Sequence, residues 1–189
     1  YRLLSQQRSR RLREQFGPEY ERSVRHADDP REAEAELRQR EKRHRGLELR
    51  ALEPRQRDEF EQRWLRVQQE FVDDPGRAVR NADGLVVEVM SARGYPVVDF
   101  DQRAADLSVE HPETTQHYRE ARDIARANER GEAQTEQLRQ AVGSYRSLLR
   151  ELLEHTRDES DRPDGRGNGE HPESATVSSR TVTTKEQRR

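Results

Sequence analysis

Residues 54–96 read PRQRDEFEQRWLRVQQEFVDDPGRAVRNADGLVVEVMSARGYP, and this stretch decides the fold. Its first half carries apolar side chains at spacings of four, three and four residues: Phe60, Trp64, Val67 and Phe71. This spacing is typical of one face of an amphipathic helix. We expect Leu65 and Val72 to broaden the buried face, and the aromatic residues on it to belong to a core.

The second half of the same stretch predicts another helix. Its apolar side chains fall on one side: Ala78, Ala82, Leu85, Val86, Val89 and Met90. Gly94 suits a left-handed C-cap, and Pro96 prevents the helix from continuing. Because the link at residues 73–76 is short, the two helices should pack as an antiparallel hairpin, with Phe71 and Val72 against the second helix. We expect this hairpin to be the centre of the fold.

Prolines at positions where a helix can begin divide the rest of the chain. They predict helices near residues 18–27, 30–49 and 112–130, with a short helix or turn at 99–108 and a long helix ending near residue 155. The helix at 30–49 has almost no apolar face beyond Ala33 and Leu37, and its Glu–Arg pairs at i,i+4 predict a solvent-covered helix.

The sequence therefore predicts an all-α protein, a multi-helix bundle built on antiparallel helical hairpins. Three regions are expected along the chain: an Arg-rich membrane-flanking segment at 1–17, a helical domain at 18–155 and a disordered tail at 156–189. The tail prediction rests on its scarcity of aliphatic residues among Gly, Pro, Ser, Thr and charged residues.

Composition limits the classes of function. Hydrophobic residues make up 29% of the 189 and charged residues 39%, so the apolar side chains must be concentrated in a few helices. The net charge of −2 argues against an indiscriminate nucleic-acid binder, and we expect no nucleic-acid partner. The chain has no cysteine, which excludes disulfides, thiolate nucleophiles and cysteine zinc sites.

Candidates for catalysis or metal binding are weak. His111, Glu113 and His117 resemble part of a metal site, but a second helical histidine at the required spacing is missing. Asp74 and Asp99 are better explained as helix caps than as paired catalytic carboxylates. No nucleophile elbow, P-loop or dinucleotide-binding motif occurs. We therefore predict no catalytic residue, no cofactor and no metal ligand, and leave enzymatic activity uncertain.

The beginning of the chain carries the strongest functional signal. Five arginines precede the first acidic residue, Glu14: Arg2, Arg8, Arg10, Arg11 and Arg13. Near an anionic membrane each contributes roughly 1 kcal/mol, which gives only about millimolar binding for the set. A hydrophobic span upstream would supply the anchor, and the arginines would hold this flank in the cytoplasm. A solvated helix end and a nucleic-acid-binding arm are the alternatives.

Three motifs together resemble a known family. They are RSRRLREQFGPEY at 8–20, FVDDPGRAVRNADGLVVEVMSARGYP at 71–96 and DFDQRAADLSVEHPETTQHYREARDIA at 99–125. In this order and spacing they resemble uncharacterised bacterial proteins, common in GC-rich actinobacteria, that carry one N-terminal transmembrane helix before an Arg-rich flank. The resemblance covers about residues 8–153. It implies a single-pass cell-membrane protein with a helical soluble domain, and it assigns no catalytic residue.

The leading hypothesis is a non-enzymatic, membrane-tethered helical interaction or scaffold module on the cytoplasmic face of the membrane. Its partners would be an anionic membrane surface, contacted by the N-terminal arginines, and an unknown protein. The expected interaction surface comprises Val97, Val98 and Phe100.

Two other hypotheses stay open. One is a small helical enzyme or anion-ligand binder with a pocket between the helices at 54–74 and 112–130, using Arg63, Arg66 or Arg119. The other is self-association through the charged helix at 30–50.

Overall fold

The computed structural model describes the backbone of residues 2–160 and the side chains of residues 6–154, and this part of the chain is all-α. It contains eight helices: α1 Arg2–Phe16, α2 Pro18–His26, α3 Pro30–Arg45, α4 Pro54–Asp73, α5 Pro75–Ala92, α6 Phe100–Glu110, α7 Pro112–Glu129 and α8 Thr135–Ser160. The predicted fold class is confirmed. Most of the tail predicted as disordered, residues 161–189, lies outside the described residues.

Local sequence signals set the beginnings of these helices. Proline occupies the first turn of α2, α3, α4, α5 and α7, where its missing N–H costs nothing. Asp29, Asp74 and Asp99 cap α3, α5 and α6, each accepting a hydrogen bond from a backbone N–H two or three residues on. The predicted capping roles of Asp74 and Asp99 are therefore confirmed.

The larger core belongs to α4, α5, α7 and α8, which we call the apolar bundle. Helix α5 packs against the other three, and α7 packs along α8. The core side chains are mostly aliphatic, with Trp64, Tyr118 and Tyr145 among them, and Leu52 and Tyr95 from the connecting segments complete it. Helices α4 and α5 pack on each other, as predicted, but only α5 lies at the centre of the bundle, because α4 packs mainly on α5.

Two of the residues predicted to bury in the hairpin lie at the surface. Val72 is 82% exposed and Leu65 is 49% exposed. Helix α4 packs mainly on α5, so only a narrow face of α4 is covered. The expectation that these side chains widen the buried face is therefore wrong.

A second, smaller core forms among α1, α2, α3 and α6, which we call the N-terminal unit. Its buried apolar side chains are Leu12, Phe16, Tyr20 and Leu37. Gly17, with φ of 46°, makes the turn between α1 and α2. The predicted boundary at residue 17 thus lies between two helices that share one core.

Helix α3 differs from its prediction. It ends at Arg45, and one face of it is buried: Ala33, Leu37, Arg40 and His44. The prediction of a solvent-covered helix is wrong for that face, because the neighbouring helices supply polar partners for its charged side chains.

Residues 46–53 leave α3 and run along the end of α5. The Arg50 backbone N–H donates to the Arg93 carbonyl at 3.0 Å, and Arg50 Nε donates to the Ala92 carbonyl at 2.7 Å. Gly94 has φ of 91°, and a Cβ there would lie 2.5 Å from the Glu48 carbonyl oxygen. The predicted left-handed glycine is confirmed, and it also permits this close approach.

Candidate functional site

A wide concave feature lies at the surface of the N-terminal unit, and we call it the polar cleft. Helices α2 and α3, the beginning of α6 and Arg119 of α7 line it, and its volume is about 710 Å³. Small-molecule sites generally occupy roughly 300–1,000 Å³. The lining is mainly polar, so recognition in this cleft would rely on charge and hydrogen bonding.

The floor of the cleft is a buried ion cluster around Glu19. This carboxylate is 1% exposed and accepts two hydrogen bonds from Arg119, from Nε at 2.9 Å and from Nη2 at 3.1 Å. Arg40 Nη1 donates to the same carboxylate at 3.4 Å, and Arg40 also pairs with Glu36. A buried carboxylate needs such partners, because an unpaired charge in the interior is strongly unfavourable.

A second buried carboxylate, Asp106 of α6, lies close to this cluster. It is 1% exposed and accepts hydrogen bonds from the Gln102 side-chain amide at 2.9 Å. Arg43 Nη2 lies 3.9 Å from Asp106 Oδ1. Ser108 joins α6 to the first cluster, since its hydroxyl lies 3.5 Å from Arg40 Nη1. Helices α2, α3, α6 and α7 are thus connected by charged hydrogen bonds.

One lining group has no partner. Ser23 is 7% exposed and lines the cleft, and its hydroxyl oxygen makes no hydrogen bond with any described residue. A buried hydroxyl without a partner is unusual in a native protein. The oxygen itself has almost no accessible surface, so it lies beneath the wall of the cleft.

The charges around the cleft are mixed. Its arginines are Arg22, Arg40, Arg43 and Arg119. Its lining acids are Asp28, Glu32, Glu36, Asp99 and Asp101, and the buried Glu19 and Asp106 lie beneath them. Carboxylates therefore outnumber guanidinium groups, and the cleft is not a simple anion site.

A separate cluster of buried side chains contacts Glu110, a partly exposed residue where α6 meets α7. Tyr95 donates its hydroxyl to Glu110 at 3.0 Å, and the Nε2 atoms of His44 and His111 lie 3.7 and 3.9 Å from the same carboxylate. His111 Nδ1 lies 3.0 Å from Glu151. Burial, and then the negative charge of Glu110, raise the pKa of Tyr95.

The weak metal pattern of the sequence does not assemble in the described residues. His111 is buried and faces Glu110 and Glu151, whereas Glu113 and His117 are exposed. Within residues 6–154, no group of three potential metal ligands converges closely enough to hold an ion.

Four of the predicted membrane-flanking arginines, Arg8, Arg10, Arg11 and Arg13, are exposed on α1, while the side chain of Arg2 lies outside the described residues. Three of them form surface ion pairs: Arg10 with Glu14, Arg11 with Glu41 and Arg13 with Glu21. Exposed pairs of this kind contribute only about 0–1 kcal/mol, so they leave the arginines available to other anions.

The predicted interaction surface divides into two parts. Val98 is 83% exposed, whereas Val97 and Phe100 are half-buried and pack against the apolar bundle. The Phe100 ring lies 4.9 Å from the Tyr118 ring, between centroids. Val98 alone of the three presents most of its side chain to solvent.

The predicted pocket between residues 54–74 and 112–130 corresponds to α4 and α7, which both pack on α5. Its candidate arginines are widely distributed. Arg63 pairs with Glu88 of α5 and thereby lowers the pKa of that carboxyl, Arg66 is exposed on α4, and Arg119 lies in the polar cleft.

Sequence reasoning missed Glu19, Ser23 and Arg40 as parts of a site. A signal was present, because the buried positions 33, 37, 40 and 44 follow the four, three, four spacing of a helix face. Two of these positions are charged or titratable, so the face did not stand out as apolar. The partner Arg119 is 100 residues from Glu19 along the chain.

Comparisons with known proteins give no relative: no family model, curated protein or solved structure matches this chain. In the part of the chain that the structure describes, none of the helices combines the length and the apolar character needed to cross a bilayer.

Proposed function

We propose that this chain is the helical domain of a membrane-tethered, non-enzymatic interaction module. The observation that supports the proposal is the arrangement of α1. Leu12 and Phe16 of α1 are buried in the N-terminal unit, while Arg8, Arg10, Arg11 and Arg13 are exposed. A helix attached in this way would transmit the position of a membrane anchor to the rest of the domain.

Electrostatics alone would not hold the domain on a membrane. Four arginines at roughly 1 kcal/mol each give about 4 kcal/mol near an anionic leaflet, which corresponds to a dissociation constant of about 1 mM. The proposal therefore includes an apolar anchor upstream of Tyr1, with the domain on the cytoplasmic side. The arginines would then orient the domain, and a protein partner would bind away from α1, with Val98 as part of its surface.

The electrostatic part can be tested with vesicles. We expect the chain to co-sediment with vesicles of phosphatidylserine and phosphatidylcholine at low salt, but not with phosphatidylcholine alone, and to dissociate as salt screens the attraction. Replacing Arg8, Arg10, Arg11 and Arg13 by Gln should abolish this binding.

A matched control replaces four other exposed arginines by Gln: Arg25, Arg55, Arg80 and Arg126. Both variants lose the same charge, so equal losses of vesicle binding would show a non-specific effect of net charge and refute the role of α1.

The tether and its orientation require the full-length gene. Cells that express it should retain the protein in the membrane fraction and protect the domain from protease added outside. Recovery of the protein in the soluble fraction, or its digestion from outside, would overturn this part of the proposal.

A further inference from the structure

We propose that the polar cleft binds a small zwitterion, a molecule that carries an anionic oxygen group and an ammonium group a few bonds apart. This inference goes beyond the membrane function and does not depend on it. It rests on the distribution of charge in the cleft and on the charged lining side chains that form no ion pair with the described residues.

The anionic group of the ligand would bind near the floor. Glu19 occupies Nε and Nη2 of Arg119, whereas Nη1 lies 3.8 Å from Asp101, a residue whose side chain is 89% exposed. Arg119 therefore keeps donors for a ligand. Arg22 lines the same space and forms no ion pair with the described residues.

The ammonium group would bind at the rim. Asp28 and Glu32 line the cleft and form no ion pair within the described part of the chain. Asp101, weakly paired with Arg119, completes a carboxylate surface on the side of α6. Carboxylates near an open cleft attract a cation and can accept its hydrogen bonds.

The charge balance disfavours a simple ion of either sign. Because acids outnumber arginines around the cleft, a free anion would be repelled on approach. A simple cation would be attracted by the rim acids, but the guanidinium groups of the floor would repel it. A ligand with both charges satisfies both regions, and the volume of about 710 Å³ accommodates it.

Three probes of equal chain length separate these possibilities by titration calorimetry. They are 6-aminohexanoate, which carries both groups, hexanoate, which lacks the amine, and hexylamine, which lacks the carboxylate. We expect saturable binding of 6-aminohexanoate and at least about tenfold weaker binding of the other two, since a hydrogen bond to a charged group contributes about 1.5–3 kcal/mol.

Two outcomes would overturn the proposal. One is equal binding of hexylamine or hexanoate, which would show a site for a single charge. The other is no saturation by 6-aminohexanoate up to about 10 mM, tenfold above a weak millimolar affinity.

Point variants test the two regions separately. R22Q should weaken 6-aminohexanoate binding by about tenfold or more, since a hydrogen bond to a charged group contributes about 1.5–3 kcal/mol. R25Q on the same helix should leave binding unchanged, because Arg25 does not line the cleft. E32Q should weaken binding at the rim. Its control is E113Q, which removes a first-turn acid from α7 instead of α3.

A measurement on the unaltered chain tests the site even if a variant fails to fold. In ¹⁵N-¹H correlation spectra, 6-aminohexanoate should shift the amide signals of residues around Ser23, Glu32 and Gln102 and leave those of α8 unchanged. Shifts confined to α8 or to α4 would place the ligand elsewhere and refute the site.

Discussion

The apolar bundle and the N-terminal unit both pack helices around a core, but different interactions hold them together. In the bundle, aliphatic and aromatic side chains fill the space between α4, α5, α7 and α8. In the N-terminal unit the apolar core is small, and the arginine clusters around Glu19 and Asp106 occupy the interfaces that face α7 and α6. One region is stabilised mainly by burial of apolar area, and the other depends on charged hydrogen bonds.

The comparison shows that one region mainly supplies stability, whereas the other mainly fixes the geometry of helix packing. Apolar contacts tolerate small shifts of one helix against another, whereas a bidentate Arg–Glu pair requires one geometry. A buried ion pair often adds little net stability over an apolar replacement, yet removing one partner is costly. The N-terminal unit should therefore be positioned accurately on the bundle and be sensitive to single charge changes.

The largest effect should follow from removing the charge at the centre of the N-terminal unit. E19Q leaves Arg119 and Arg40 without their shared carboxylate in a buried position. We expect a loss of about 3–5 kcal/mol in the free energy of unfolding, measured by urea denaturation. A loss below about 1 kcal/mol would show that the ion cluster is not buried as described and would remove the contrast between the two regions.

Shortening a buried side chain in the bundle should lower the free energy of unfolding by nearly as much, through a different mechanism. Leu148 is fully buried, so L148A removes apolar contacts and leaves a cavity, at a cost of about 2–5 kcal/mol. Its destabilisation should be almost independent of salt concentration. A strong salt dependence would contradict an apolar origin.

Alkaline pH should act on the bundle through its tyrosines. Burial raises the pKa of Tyr145, and the nearby Asp83 carboxylate raises it further. A raised folded-state pKa contributes stability below the unfolded pKa of about 10, and that stability is lost as pH rises towards the folded pKa. At pH 11 the loss should be about 1.4 kcal/mol per such tyrosine.

The Y145F variant tests this assignment. Asp83 lies near the Tyr145 hydroxyl, but the two do not meet the geometry of a full hydrogen bond, so the substitution should change stability little at pH 7. Urea denaturation at pH 7 and pH 11 should show a smaller alkaline loss in Y145F than in the parent chain. Identical losses would assign the alkaline effect to other groups.

The smallest of these effects should come from a cap that joins the two regions. Asp99 caps α6, which packs on both α3 and α7. D99A should cost about 1 kcal/mol. A matched D74A change removes the cap of α5, and similar thermal shifts in both variants would indicate local cap energies. A much larger shift for D99A would indicate that α6 couples the two regions.

The accuracy of the predictions made from the sequence also differs between the two regions. The α4–α5 hairpin and the helix with Leu148 were predictable, because their apolar side chains recur at helical spacing. The burial of Arg40 and His44 was not, since charged residues are normally solvated and their partners lie far away in the chain. Val72 was misplaced because helical spacing identifies a face but not how wide a neighbour covers it.

The two candidate functional features differ in whether the sequence could predict them. The arginines of α1 were identified from local charge, and their role stays a prediction. The polar cleft could not be predicted, because it requires α2, α3, α6 and Arg119 to meet in space. Ser23 carried no distinguishing pattern in the sequence.

The pairing of Glu19 with Arg119 also has a consequence for synthesis of the chain. The two residues are 100 positions apart, and translation proceeds at roughly 5–20 residues per second. For about 5–20 s, each new chain carries the carboxylate of α2 without its partner, so the first three helices cannot reach their final packing. The N-terminal unit, although three of its four helices are made first, is completed only after α4 and α5 of the bundle have been made.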